Sequence, residues 1–272
     1  MPKEKRPDRL IFTDLDGTLL DHDTYSWKPA EPALKLAEKM GIPVIFCTSK
    51  TRAEIEACKK DTGNRHPFIA ENGDVIFIPE GYFRRKPARA KRKGKYLVIV
   101  LGKPYSEVRG IIKAMQKKGF RVRGFGDMTV QEIIKLTGLP EERARLARKR
   151  EYDEPFILED PEQESGMLDY IAKQGLQCIR GGRFYHLMGG NGKGFAAKTL
   201  AGMYSLEAGK PVVTAGLGDS PNDFPLLRAV DVPYLLVGRK KSPKSPGLFI
   251  EIDAPSRPEG WNTAVMKFLE EF

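Results

Sequence analysis

The 272-residue sequence predicts an α/β protein in which a doubly wound parallel sheet is assembled from both ends of the chain, with a second α/β domain inserted in its middle. Three observations predict it. Apolar runs near both ends, Leu10-Ile11-Phe12-Thr13 and Val212-Val213-Thr214-Ala215-Gly216-Leu217, each open into an acidic, glycine-containing loop, as buried parallel strands do at their carboxyl ends. Segments with helical spacing of apolar residues alternate with such runs. After Phe83 the rhythm changes, and the earlier style returns only at Gly194.

Residues 10–13 read as the first buried strand. Over 31–40, Ala33, Leu34, Leu36, Ala37 and Met40 form a helical stripe closed by Gly41 as a C-cap. Residues 43–47 read as the next buried strand and 51–60 as an amphipathic helix. Strands at 68–70 and 75–78 flank Glu71-Asn72-Gly73-Asp74, where the Asn-Gly pair signals a hairpin. Beyond Phe83 a strand at 96–101, a helix at 106–118 and a strand at 120–123 lead into helical segments near 129–136 and 141–150. A strand at 156–158, a helix near 163–174 and strands at 177–180 and 184–187 follow. Two strand-helix-strand units predict a small antiparallel sheet backed by helices. The first style resumes with a helix from 194 to about 206, strands over 211–217 and 232–237, a helix near 224–229, and a last helix near 261–270. The core is therefore expected from 1–82 and 188–272, and the insert from 83–187.

Composition excludes several classes. The 40% hydrophobic content argues against disorder, and the longest pure apolar stretch, 96–101, is far below a membrane span. The charged first residues have no apolar run behind them, so no secretory signal is expected. Cys47, Cys58 and Cys178 are widely spaced and odd in number, which suits a reducing, cytoplasmic setting without a disulfide or zinc framework. The formal charge of +10 is unevenly spread: residues 82–188 hold 24 basic and 13 acidic side chains, the remainder 22 and 23. Within 84–95 stand eight basic residues and no acid, and 143–150 has five more basic residues. Such runs are commonly solvated faces; the functional alternative is a positive field over a site that receives an anion. They lack the interleaved aromatics expected of an RNA-binding surface.

Chemistry concentrates in two loops, Asp14-Leu15-Asp16-Gly17-Thr18 and Gly218-Asp219-Ser220-Pro221-Asn222-Asp223, each directly after an apolar strand. Either alone is compatible with ordinary turn chemistry. Together they bring four carboxylates to the tips of buried parallel strands, where like charges repel unless a cation holds them. Oxygen donors with few histidines suit a hard divalent ion, and Mg²⁺ is typically held by one or two carboxylates plus substrate phosphate and water. Two residues apart in extended backbone, Asp14 and Asp16 aim the same way and can reach one substrate group.

These paired loops resemble the first and last motifs of the haloacid dehalogenase superfamily, whose phosphatases form a phosphoaspartate. Thr48, after the strand at 43–47, matches the second motif, and Lys193 in Asn191-Gly192-Lys193-Gly194 the third. The insert falls between the second and third motifs, as in the sugar-phosphate phosphatases with a large α/β cap. The resemblance implies a haloacid dehalogenase-like core with an inserted cap, Asp14 as nucleophile, and Asp16 as general acid and then base. It further implies Mg²⁺ held by Asp14, the main-chain oxygen of Asp16, and Asp219, with Asp223 beside them or as a direct ligand. Thr48 and Lys193 would hold phosphoryl oxygens.

Four further stretches resemble the mannosyl-3-phosphoglycerate phosphatases: 46–55, Glu71-Asn72-Gly73, 150–156 and 180–189. This implies release of phosphate from mannosyl-3-phosphoglycerate, or its glucosyl analogue, to give a glycosylglycerate compatible solute. The expected partner is thus a small phosphorylated, carboxylated sugar, with neither membrane nor nucleic acid. Arg180 and Arg183, flanking Gly181 and Gly182, would suit the carboxylate, since arginine forks match it and glycine permits close backbone approach. Lys50 would serve the same glycerate end, Glu154 the sugar hydroxyls, and His186 a further ligand contact. The run at 84–95 belongs to no part of this pattern. Alternatives are another capped sugar phosphatase, a hexose phosphomutase, or a basic nucleic-acid-binding module on an enzyme-like core.

Overall fold

The computed structural model describes residues 7–181, 183–237 and 247–271. From the N-terminal side, β1 (Arg9–Thr13), α1 (Glu31–Met40), β2 (Val44–Cys47), α2 (Arg52–Thr62), β3 (Phe68–Ala70), β4 (Val75–Pro79), β5 (Lys91–Lys93) and β6 (Tyr96–Val100) come first. The insert contributes α3 (Tyr105–Lys117), β7 (Val122–Gly124), α4 (Val130–Thr137), α5 (Glu141–Ala147), β8 (Glu154–Leu158), α6 (Glu164–Lys173), β9 (Gln177–Gly181) and β10 (Phe184–Met188). The chain then returns through α7 (Gly192–Ala208), β11 (Val213–Gly218), α8 (Phe224–Leu227), β12 (Val232–Val237), β13 (Ile250–Asp253) and α9 (Arg257–Glu271).

The first sheet has nine strands in the order β13-β12-β11-β1-β2-β3-β4-β6-β5. From β13 to β3 all neighbours are parallel, and β4, β6 and β5 close the far edge in antiparallel pairing. Alternate residues of β1 face opposite layers. Leu10 and Phe12 pack with Ala196, Leu200 and Tyr204 of α7. Ile11 packs on the side of α1 and α9, with Ala33, Trp261 and Phe268. The sheet is thus helix-covered on both faces at its centre, so β2 and β3 read as unbroken apolar runs, whereas the edge strand β13 alternates as Ile250-Glu251-Ile252-Asp253 and is largely exposed. β1 lies between β11 and β2, with Thr13 opposite Leu217. The chain departs in opposite directions on the two sides of β1, and the loops after β1 and β11 meet at that switch point.

The second sheet, β7-β8-β10-β9, is antiparallel throughout. Val108 and Ile112 of α3 and Met167 and Ile171 of α6 cover one face, packing on Phe156, Tyr185 and Leu187. The α4–α5 pair covers part of the other face, where Ile133, Ala144 and Ala147 meet Ile157, Phe184 and Tyr25 from the core. The protein is therefore an α/β core with an inserted α/β cap.

Two strands within the expected insert, β5 and β6, are hydrogen-bonded into the first sheet. The basic run at 84–95 accordingly forms the outer edge of the core. Arg92 pairs with Glu80 at 2.9 Å, Lys95 with Glu56 at 3.3 Å, Arg84 with Glu207 at 3.4 Å, and Lys93 with Glu151. A short, charged edge strand discourages pairing with another chain. Both crossings into the cap pass Asp74. Its main-chain oxygen accepts from the Leu101 and Gly102 amides at 2.8 and 2.9 Å, and its carboxylate from the Gly189 and Gly190 amides at 3.1 and 2.8 Å. A Cβ on Gly190 would stand 2.4 Å from Asp74 Oδ1, so only glycine fits that approach.

Candidate active site

β1 delivers Asp14 to the carboxyl edge of the sheet, where its amide donates to the Leu217 carbonyl at 3.0 Å and locks it against β11. Beneath it, Trp261 Nε1 of α9 donates to Thr13 Oγ1 at 2.9 Å, and that hydroxyl donates to the Asp14 carbonyl at 2.7 Å. The chain then turns through Gly17 at φ +71°, where a Cβ would come within 2.8 Å of Asp219 Oδ2. Thr18 Oγ1 donates to Asp219 Oδ1 at 3.3 Å. After β11, the Asp219 and Ser220 amides and the Ser220 hydroxyl all donate to Asp223 Oδ2, at 3.1, 3.2 and 3.1 Å. This fold of the loop points the other Asp223 oxygen inward.

Ligand oxygens of Asp14, Asp219 and Asp223 lie within 4.8 Å of one another. Lys193, in the first turn of α7, is 2% exposed and spans two of them, reaching Asp14 Oδ1 at 2.8 Å and Asp223 Oδ1 at 2.7 Å. Burial pushes the Asp14 carboxyl up to about 6 against the pull of Lys193, with Asp223 adding repulsion. Burial, then Asp223 and Asp14, pushes Asp219 up to about 8. Burial by itself would strip the Lys193 proton, but the two carboxylates outweigh it and its pKa rises. Such crowding of buried carboxylates is relieved by positive charge, and an all-oxygen donor set fits a hard divalent cation. The Asp16 carboxylate stands outside this cluster.

Asp16 instead meets Lys50, whose Nζ lies 2.8 Å from Asp16 Oδ2 and 3.3 Å from Glu54 Oε1. Burial opposes the Lys50 charge, yet the two carboxylates raise its pKa. Asp16 Oδ1 is buried without a hydrogen-bond partner. Thr48 is fully buried at the end of β2, and its hydroxyl accepts from the Lys50 amide at 3.4 Å. A 230 Å³ cavity opens above Asp16, Ser49 and Lys50, roofed by Arg150, Gly181, Phe184 and His186 of the cap. His186 Nδ1 faces Asp153 Oδ2 at 3.2 Å, and burial with the Arg150 and Lys193 cations pushes the imidazole down to about 3.

Three expected ligand contacts lie elsewhere. Glu154 is fully buried, turned to the α3 face of the cap sheet, and already accepts from Tyr105 Oη, Arg109 and the Gly126 amide at 2.7, 2.8 and 2.9 Å. Arg180 is paired across β10 with Tyr185 and therefore shares its face, stacking on that ring and approaching Glu164 at 3.5 Å. Arg183 donates to the Leu136 carbonyl at the end of α4, at 2.6 Å. Gly182 lies outside the described residues. Conversely, Tyr25, Ser49 and Arg150 line the cavity without having been singled out, although Ser49 and Arg150 stand in stretches that carried the family resemblance. Nothing in the local sequence marks Tyr25, which reaches the site from the loop after the first acidic motif.

Residues 11–87 match the family of haloacid dehalogenase-like hydrolases. A glucosyl-3-phosphoglycerate/mannosyl-3-phosphoglycerate phosphatase of Persephonella marina is 44% identical over 266 residues, covering 96% of this chain and 97% of its own. A protein of the same description from Methanococcoides burtonii is also 44% identical, over 265 residues with the same coverage. Among solved structures, a phosphatase of the haloalkanoate enzyme superfamily from Bacteroides thetaiotaomicron shares the fold with a TM-score of 0.68 at 19% identity, over 98% of this chain and 97% of its own.

Proposed function

Because the chain belongs to the glucosyl-3-phosphoglycerate/mannosyl-3-phosphoglycerate phosphatase family of haloacid dehalogenase-like hydrolases, we propose that it hydrolyses the phosphomonoester of mannosyl-3-phosphoglycerate, with the glucosyl analogue as a second substrate. The observation that carries this reading is the meeting of Asp14, Asp219, Asp223 and Lys193 at the switch point, with Asp16 at the floor of a cap-covered cavity.

In the first step an Asp14 carboxylate oxygen attacks phosphorus, the bond to the glycerate oxygen breaks, and Asp16 gives that oxygen its proton. In the second, Asp16 takes a proton from a water that attacks the aspartyl-phosphate, freeing phosphate and the Asp14 carboxylate. Lys193 at Asp14 Oδ1 leaves the other oxygen for attack and lies where equatorial charge develops. Thr48, at the end of the neighbouring strand, hydrogen-bonds the phosphoryl group. Lys50 fixes the Asp16 side chain and carries positive charge toward the glycerate end. Neutral at ordinary pH, His186 offers a hydrogen bond to the bound substrate from the roof. Asp14, the Asp16 carbonyl and Asp219 would hold Mg²⁺, with Asp223 beside them, and the ion would offset negative charge between nucleophile and phosphate. Among the described residues no helix is long and apolar enough to cross a membrane, and a polar, phosphorylated substrate is in keeping with a cytoplasmic enzyme.

A phosphate-release screen with Mg²⁺ over glycosyl-3-phosphoglycerates and plain hexose phosphates tests the proposal. The expected result is fastest turnover on the former, lost on chelation and in Asp14→Asn. Equal turnover of plain hexose phosphates would remove the glycerate from the specificity. Turnover that survives in Asp14→Asn would remove the covalent route.

A further inference from the structure

Three successive residues in the β3–β4 turn, Glu71, Asn72 and Gly73, adopt left-handed backbone at φ +50°, +59° and +97°. Only Gly73 does so without cost, and a strained turn of this kind persists where its surroundings fix it. Here they do. The Glu71 amide donates to the Lys50 carbonyl and the Asn72 amide to the Thr48 carbonyl, both at 3.0 Å, so the turn sits against the loop after β2. The Glu71 carboxylate is fully buried and accepts from the Glu151, Tyr152 and Asp153 amides of the cap, at 3.0, 2.8 and 2.8 Å.

Asn72 is also fully buried, and its two ends face different domains. Its Nδ2 donates to Asp153 Oδ2 in the cap at 2.9 Å, the oxygen that also faces His186 Nδ1. Its Oδ1 accepts from Asn222 Nδ2 at 3.2 Å, within the loop that holds Asp219 and Asp223. We propose that Asn72 is a positioning residue that couples the seated cap to the alignment of the Asp219–Asp223 loop. Resting on the phosphatase reading for its catalytic consequence, the bridge makes the carboxylate loop adopt its working geometry only while the cap roof, with His186, is in place.

The variant that isolates the side chain is Asn72→Gly, because glycine keeps the left-handed turn. Amide hydrogen exchange at Asp219 and Ser220, whose N–H groups bond Asp223, should quicken, and kcat on the glycosyl-phosphoglycerate should fall by about tenfold to a hundredfold with KM changed less than about twofold. Asp153→Ala, which lies in the cap, should quicken the same amides. Asp153→Asn, which retains an acceptor for Asn72, should restore most of the protection. In the double variant Asn72→Gly with Asp153→Ala, the exchange rates and kcat should match those of the more affected single variant, since one bridge is cut twice. Unchanged exchange in the loop, a loss confined to KM, or losses that multiply in the double variant would each overturn the coupling. The exchange measurement needs no substrate, so failure of the phosphatase assay leaves it decisive.

Discussion

Replacing Lys193 by methionine removes one charge from a set of buried opposites and keeps the volume. In the native chain Nζ is 2.8 Å from Asp14 and 2.7 Å from Asp223, with Lys193 side-chain exposure of 2% and Asp223 of 0%. Methionine leaves the buried Asp14 and Asp223 carboxylates without their shared cation, beside Asp219, whose nearest remaining positive charge is Arg257 at 3.8 Å. Removing one partner of a buried pair costs about 3–5 kcal/mol. At roughly 2–4 °C per kcal/mol for a chain of this size, that is a fall of about 6–20 °C in the unfolding midpoint of chelator-treated protein. A divalent cation supplies the missing positive charge, so Mg²⁺ should raise the midpoint of Lys193→Met more than that of the native protein, narrowing the gap. Turnover should not follow: in the proposed mechanism the phosphoryl oxygens would lose a fixed donor, and kcat should drop by about a hundredfold to a thousandfold even at saturating Mg²⁺. Thermal unfolding with and without Mg²⁺, beside phosphate release, reads all three quantities. A metal-free destabilisation below about 1 kcal/mol, or a gap that widens with Mg²⁺, would refute the view that Lys193 and the metal share one carboxylate field.

Gly17→Ala adds a methyl 2.8 Å from Asp219 Oδ2 at a left-handed residue, so it should cost about 1–2 kcal/mol of stability and raise the Mg²⁺ concentration for half-maximal activity; an unchanged Mg²⁺ titration would free Asp219 from metal binding. Burial pushes Lys59 down to about 7 from its usual 10.5. The unfolded chain therefore holds the proton more tightly, and the native protein should gain stability as pH rises from about 7 toward 10.5. Urea midpoints across that window should climb, and Lys59→Met should flatten this part of the climb. Arg180→Ala, on the helix-covered face, should leave KM within about twofold, while Lys50→Met, which strips the Asp16 ion pair, should lower kcat/KM by more than about tenfold; the reverse ranking would put the glycerate against β9.

The core was legible because its strands are buried on both faces and end in loops of unmistakable composition. β1 carries Leu10, Ile11 and Phe12 up to Thr13, β11 is apolar but for Thr214 up to Leu217, and the register that sets Thr13 opposite Leu217 brings the two acidic loops together. β5 was illegible for the opposite reason. Lys91, Arg92 and Lys93 are all exposed and offer no apolar alternation; they form a strand because β6 presents a free edge to pair with. At 71–74 the Asn-Gly pair announced the hairpin correctly, yet gave no hint that Glu71 would also turn left-handed, since that conformation depends on three amides brought from the cap.

Glu154 and Arg180 turn away from the cavity by strand parity, and the cause lies in how the sheet is covered. In a strand with one wet face, alternating polarity tells which residues point inward. β10 reads Phe184, Tyr185, His186, Leu187, Met188, with no such alternation. Helices α3 and α6 lie on one side of it and α4 with α5 on the other, so both faces favour apolar or aromatic residues. Only the pairing decides the matter. Tyr185 opposite Phe156 and Arg180 goes to the α3 side, carrying Arg180 with it, while His186 opposite Pro155 and Ile179 goes to the cavity. A shift of one residue would have exchanged Arg180 and His186 between ligand and surface, and no side chain in β10 records which register its pairing with β9 and β8 takes.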